Sequence, residues 1–104
     1  MTDPPQVLDR AEGRNGELVL RRVGDDLEVI SNGTFLMDTR DGRSERALVR
    51  EALDRQGAAR DLLVGGLGVG FSLLEAVEVE RLTRIDVVEI EPVLVRLARR
   101  LVTR

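Results

Sequence analysis

The sequence predicts an α/β chain, with a small N-terminal antiparallel β-meander followed by the first half, strand-helix-strand-helix, of a Rossmann-like domain. Three observations carry this expectation. Short β-type runs are punctuated by Gly24-Asp25 and Asn32-Gly33. Past residue 57, strand-length apolar runs alternate with helical periodicity. A glycine loop, Gly65-Gly66-Leu67-Gly68-Val69-Gly70, stands between the first of those strands and its helix.

Residues 1–16 contain Pro4, Pro5, mixed charge and the loop formers Gly13, Asn15 and Gly16, and are expected to be a flexible lead-in. Residues 17–57 hold the meander and a connecting helix. Leu18 to Leu20 with Val23, then Leu27 with Val29 and Ile30, then Phe35 to Met37 predict three strands. Asn32-Gly33 is a strong hairpin signal, because a two-residue type I′ turn needs positive φ at both central positions. Ser44 is placed to cap a helix over 45–56, with Ala47, Leu48, Ala52 and Leu53 on one stripe and Gly57 as its stop.

Residues 58–104 read as a partial Rossmann-like, nucleoside-binding unit. Strands are expected over 61–65 and 84–90, and a helix with Leu73, Leu74 and Val77 over 70–80. Pro92 suits the first position of a last helix, with Leu94, Leu97, Ala98 and Leu101 facing inward and Arg96, Arg99, Arg100 and Arg104 facing water. Such alternation implies parallel strands joined by a right-handed crossover.

At 104 residues with a net charge of −3 and a pI near 5.0, the chain has no general attraction for phosphate backbones or anionic membranes. All 16 basic residues are Arg, which we ascribe to codon bias. Cysteine and histidine are absent, which excludes disulfides, thiolate nucleophiles, Ser-His triads and the commonest zinc ligands. No metal site is expected. With no signal-peptide pattern and no membrane-length apolar run, a cytoplasmic location is the default expectation.

The chemistry concentrates at Gly66, Gly68, Gly70 and Glu89. Glycines let a backbone turn tightly and approach a ligand with no Cβ in the way, and an acid at the tip of the next strand can accept hydrogen bonds from ribose hydroxyls. The Gly-x-Gly-x-x-Gly spacing of dinucleotide folds is not met, since from Gly66 its third glycine falls on Phe71. A tight strand-to-helix turn with a solvated Glu89 is the purely structural alternative. The remaining acids read as structural: Asp25 and Asp26 in a turn, Glu75, Glu78 and Glu80 on a solvated helix face, Asp86 off its strand, Glu45 in an exposed first turn, and Glu91 beside Pro92 at a helix N-terminus.

Gly-Gly-Leu-Gly-Val-Gly followed by Val-Val-Glu-Ile-Glu-Pro resembles the spermidine synthase (polyamine aminopropyltransferase) family, whose fold is of the class I S-adenosylmethionine-dependent methyltransferase type. The family's loop is Gly-Gly-Gly-Asp-Gly-Gly, and its second strand carries Val-Glu-Ile-Asp-Pro. Leu48-Val49-Arg50-Glu51-Ala52-Leu53 is similar to the family's Leu-Val-His-Pro-Ala-Leu helix, so the likeness spans roughly 17–104. It implies a small-molecule ligand of the adenosyl-sulfur kind: S-adenosylmethionine, its decarboxylated form or methylthioadenosine. Gly66, Gly68 and Gly70 would cradle it, with Glu89 on its ribose. It also implies a homodimer, to which an exposed sheet edge adds physical reason.

The departures are specific. Val69 stands where the family has the loop Asp, Glu45-Arg46 where it has His-Glu, and Phe35 or Leu36 where it has a third-strand Gln. The family's catalytic Asp belongs to a strand that would follow residue 104, so no catalytic residue is assigned and the chain looks like a truncated or divergent member. Three readings follow: a transferase-type protein, of aminopropyl or methyl kind, that binds an adenosyl-sulfur nucleoside but is catalytically incomplete; a non-catalytic homologue acting through dimerisation or partner binding; and a nicotinamide-dependent oxidoreductase, disfavoured by the glycine spacing.

Overall fold

The computed structural model describes residues 4–102, so Arg104 and the first three residues of the expected lead-in lie outside the described residues. The fold is α/β. Strands β1 (Gln6–Gly13), β2 (Gly16–Val23), β3 (Asp26–Ser31) and β4 (Thr34–Asp38) form an antiparallel sheet in sequential order. Helix α1 (Arg43–Arg55) leads to β5 (Asp61–Gly65), α2 (Phe71–Val77), β6 (Arg84–Val88) and α3 (Pro92–Val102), with β5 and β6 paired in parallel.

Asn32 and Gly33 both take positive φ, 50° and 78°, as the hairpin reading requires. The Asn32 side chain adds long-range ties: its Oδ1 accepts the Glu17 N–H at 2.9 Å and its amide donates to the Asn15 carbonyl at 2.9 Å. The β1–β2 and β3–β4 hairpin ends are thereby joined.

The expected lead-in is corrected. Residues 6–13 form a strand in register with β2, so the meander has four strands, where the sequence predicts three. Asp9-Arg10-Ala11-Glu12 offers no apolar alternation, so local pattern gives no strand signal there. The strand is held by ladder bonds to β2 and by pairs from afar: Arg10 with Glu17 at 2.8 Å and Asp9 with Arg96 of α3 at 3.1 Å.

Two apolar clusters hold the fold. Leu18, Leu20, Leu27 and Val29 present one face of the meander to Leu94, Leu97 and Leu101 of α3, with Val69 of the glycine loop completing the set. Leu20 and Leu101 are fully buried. Helix α3 therefore packs its apolar stripe onto the antiparallel sheet. The second cluster joins Val49 and Leu53 of α1 to Ala76 and Val79, with Leu62 of β5 and Ile85 of β6 packed against it. One face of the parallel pair is covered in this way, while Leu63 and Val88 on the other remain exposed.

Two local expectations also change. Ser44 makes no cap: α1 starts at Arg43 with Gly42 as N-cap, and Asp41 Oδ1 accepts the Arg43 N–H at 3.0 Å. Gly42 is needed because the Phe71 ring packs where a Cβ would stand, with ring carbons from 2.3 Å. Glu75 is not on a solvated face. At 8 % exposure it accepts hydrogen bonds from Arg46 (3.1 Å) and Arg50 of α1. These bonds, Arg50's the stronger, hold its carboxyl below the ordinary carboxylate range and clamp α2 to α1. Among the described residues, no helix is long and apolar enough to cross a membrane.

Candidate functional site

Strand β5 ends at Gly65, and the chain reverses through three left-handed positions, Gly66 (φ 89°), Gly68 (φ 56°) and Gly70 (φ 96°). Residues with side chains take these angles only at a cost, which is why glycine recurs at alternate positions. The loop is fixed by backbone bonds. Gly66 N–H donates to the Val88 carbonyl at 2.8 Å, and Gly70 N–H donates to the Leu67 carbonyl at 3.0 Å.

On the outer side of this loop lies a cavity of about 530 Å³. Gly65 to Val69 form one wall, Phe71 and Ser72 of α2 the back, and Phe35, Met37 and Asp38 of β4 the opposite wall; Asp41, Glu45 and Leu48 close it from the α1 side. Nothing lies within 4 Å of where a Cβ would stand on Gly66 or Gly68. Their missing side chains leave open space, so the backbone itself is presented to the cavity.

The four expected site residues separate into three roles. Gly66 and Gly68 line the cavity. Gly70 does not: it is the left-handed N-cap of α2, and a Cβ there would stand 2.7 Å from Val102 Cγ1. Its freedom serves close packing against α3. Glu89 sits behind the loop, its Oε1 accepting the Leu67 N–H at 2.8 Å and its Oε2 accepting the Glu91 N–H at 2.9 Å. It holds the glycine loop in place, and it does not form part of the cavity wall.

Glu91, read as a helix-terminus residue, has that role and a second one. Its Oε2 accepts the Val93 N–H at 3.1 Å in the first turn of α3, while its Oε1 accepts the Arg14 N–H at 2.7 Å from the β1–β2 turn. A Cβ on Gly13 would collide with that oxygen, so a side chain there would displace the Glu91 carboxylate. Val69, in the place of the family's Asp, is buried among Leu94, Leu97 and the meander leucines. A carboxylate there would lose its solvation in apolar surroundings, so the packing accounts for valine.

Among the described residues no basic side chain lines the cavity, whereas Asp38, Asp41 and Glu45 do. Asp38 accepts the Arg40 N–H at 3.0 Å and pairs with the Arg40 guanidinium, and these bonds hold its carboxyl below its ordinary value. Asp41 takes the Arg43 guanidinium at 2.8 Å and is pulled down to about 2, first by that side-chain bond and then by the Arg43 N–H. Arg40 also bonds Glu28 at 2.7 Å, anchoring the β4–α1 connection to β3. Burial pushes the Glu28 carboxyl up, but hydrogen bonds from Arg21 and Arg40 outweigh it and leave it below its ordinary value.

No protein-family model matches the chain, and no curated protein matches it.

The cavity was not legible as such in the sequence. Phe71 and Ser72 follow the loop directly, but Phe35, Met37 and Asp38 reach it from a strand of the other sheet. The one signal in the sequence was the resemblance, which places substrate-contacting positions of the family on Phe35 or Leu36 and on Glu45-Arg46.

Proposed function

We propose that the protein binds an adenosyl-sulfur nucleoside, of the S-adenosylmethionine, decarboxylated S-adenosylmethionine or methylthioadenosine kind, in the cavity beside Gly66 and Gly68, on a Rossmann-like, spermidine-synthase-like scaffold. One observation carries the reading. Two left-handed glycines with no atom near their absent side chains face a cavity of about 530 Å³, at the C-terminal end of a parallel strand. Ligands of open α/β sheets bind at that end of the strands, and the volume falls in the range of small-molecule sites.

Independent placement supports it. The resemblance sets the family's polar groups on Phe35 or Leu36 and on Glu45-Arg46, and of these Phe35 and Glu45 line the cavity with the glycines while Leu36 and Arg46 do not. The wall's charge discriminates between ligands. Asp38 and Asp41 are already paired with Arg40 and Arg43, so among the described lining residues Glu45 is the carboxylate that favours a sulfonium or amine over the pyrophosphate of a nicotinamide dinucleotide. Phe35, Met37, Leu48 and Phe71 supply apolar surface for the base and the thioether.

In this reading Glu89 acts mainly through the loop. Its two oxygens accept the Leu67 and Glu91 N–H groups, which fixes the loop that faces the ligand. The binding role is favoured over group transfer. Asp38 and Asp41 are held below the ordinary carboxylate range by their arginine partners, Asp41 down to about 2, and a carboxylate stabilised in its ionised form is a poorer acceptor for an amine proton. A cytoplasmic location belongs to the same proposal.

Amide chemical-shift mapping with methylthioadenosine tests the placement. The expected result is perturbation at Gly65 to Gly68, Phe35 and Ser72, with Leu97 and Arg100 of α3 unmoved. Shifts confined to the meander turns would move the site elsewhere.

A further inference from the structure

The chain contains two asparagines, Asn15 and Asn32, and each is followed by a glycine. Asn-Gly is the step at which a carboxamide is most open to attack by the next backbone nitrogen, because glycine has no Cβ to block the approach. Both steps lie in hairpin turns and both asparagines are exposed. By sequence the two are equivalent.

The structure separates them. Asn32 uses both ends of its carboxamide, Oδ1 accepting the Glu17 N–H and Nδ2 donating to the Asn15 carbonyl, each at 2.9 Å. Its own N–H donates to the Glu17 carbonyl at 2.9 Å, and a Cβ on Gly16 would stand 2.1 Å from its Oδ1, so the group is packed against the neighbouring turn. Its Cγ meets the Gly33 nitrogen only after those bonds break. The Asn15 carboxamide, in contrast, makes no hydrogen bond among the described residues, and the Asn15 carbonyl alone is engaged. Gly16, at φ 118°, stands on the last rung of the β1–β2 ladder opposite Gly13, where fraying of one terminal pair frees its nitrogen.

We propose that Asn15 is a site of spontaneous deamidation in the folded protein, that Asn32 is shielded from the same reaction by its bonds to the β1–β2 turn, and that the product loosens that turn. The Gly16 nitrogen gives up its proton and bonds to the Asn15 Cγ, the Cγ–Nδ2 bond breaks, and ammonia leaves behind a cyclic succinimide. Water then opens the ring at either carbonyl, giving aspartate or, with the main chain rerouted through Cβ and Cγ, isoaspartate. The net exchange is water in and ammonia out. Isoaspartate lengthens the main chain by one methylene between Arg14 and Gly16, and it turns the carbonyl that accepts the Asn32 amide into a free carboxylate. Both changes fall beside the Arg14 N–H that donates to Glu91 at 2.7 Å, so the new charge stands near a carboxylate that ties this turn to α3. The proposal is independent of any ligand in the cavity.

Ageing the whole chain in mildly alkaline buffer, followed by tryptic peptide mapping, tests this. Cleavage after Arg14, Arg21, Arg22 and Arg40 places the two asparagines in separate peptides. In the folded chain Asn15 should convert about ten-fold faster than Asn32 or more, the factor that two hydrogen bonds of ordinary net strength impose on a local opening, and its peptide should accept a methyl group from an isoaspartate-specific carboxyl methyltransferase. In guanidinium chloride, where the bonds of Asn32 are gone, the two rates should come together. The deamidated fraction, separated by its extra negative charge, should melt below the fresh protein, and Asn15→Ser should keep its melting temperature on ageing. An Asn15 that survives ageing intact, an Asn32 that converts as fast in the folded chain, a rate difference that persists in guanidinium, or a deamidated fraction that melts with the fresh protein would each overturn the proposal.

Discussion

Replacing Glu89 by Ala should destabilise the protein even with no ligand present. The carboxylate receives two backbone N–H groups, Leu67 at 2.8 Å and Glu91 at 2.9 Å, and through them joins the glycine loop to the start of α3. A hydrogen bond to a charged group contributes about 1.5–3 kcal/mol net. Because Glu89 is half-buried, the lower figure applies to each bond, and their sum is on the order of 3 kcal/mol. For a chain of this size about 1 kcal/mol moves Tm by roughly 4–8 °C, so Glu89→Ala should melt more than about 10 °C lower by circular dichroism. Glu89→Gln keeps one carbonyl acceptor and should fall between. Hydrogen exchange gives the local readout, since the Leu67 amide should lose protection in Glu89→Ala while Leu20 in β2 changes only with global stability. A Tm shift below about 2 °C, less than ~0.5 kcal/mol, would refute the view that this acid holds the loop.

Two further outcomes separate packing from binding. Gly70→Ala combines left-handed strain of about 1–2 kcal/mol with a Cβ driven against Val102, so it should lower stability markedly in thermal melts. Gly68→Ala, whose Cβ enters open space, should cost only the backbone strain in stability yet weaken the nucleoside several-fold in calorimetry. Acid titration tests the α1–α2 clamp. A carboxyl held below its ordinary pKa, as Glu75 is by Arg50 and Arg46, stabilises the fold above about pH 4.5 and loses that contribution as pH falls through its folded value. Glu75→Gln should therefore flatten the fall in Tm below pH 4.5, and an acid limb identical to that of the wild type would dismiss the clamp.

The parts of this fold that were legible in the sequence are those written in local pattern. The Asn32-Gly33 turn, the order β5, α2, β6, α3 and the alternate glycines of the loop all follow from backbone rules that act over a few residues. What could not be read depends on partners far along the chain. Strand β1 has a polar sequence and exists through β2 and through Asp9–Arg96. Glu75 sits in a run of acids that reads as solvated, and only two arginines on α1 bring it inside. At the site, the glycine positions were legible but their division of labour was not. Whether a glycine faces a cavity or Val102 is decided by where α3 packs, and the placement of Glu89 behind the loop depends on a bond across 22 residues.

The central claim is that the cavity takes an adenosyl-sulfur nucleoside. Isothermal titration calorimetry of the wild-type chain with methylthioadenosine, S-adenosylmethionine, its decarboxylated form and NAD tests it most directly. Glu45 on the cavity wall, with no basic lining residue among the described residues, predicts binding of the three sulfur nucleosides, with the decarboxylated compound ahead of S-adenosylmethionine because it carries no carboxylate, and no measurable heat with NAD. Silence from all three sulfur nucleosides at millimolar concentration, or NAD binding more tightly than any of them, would contradict it.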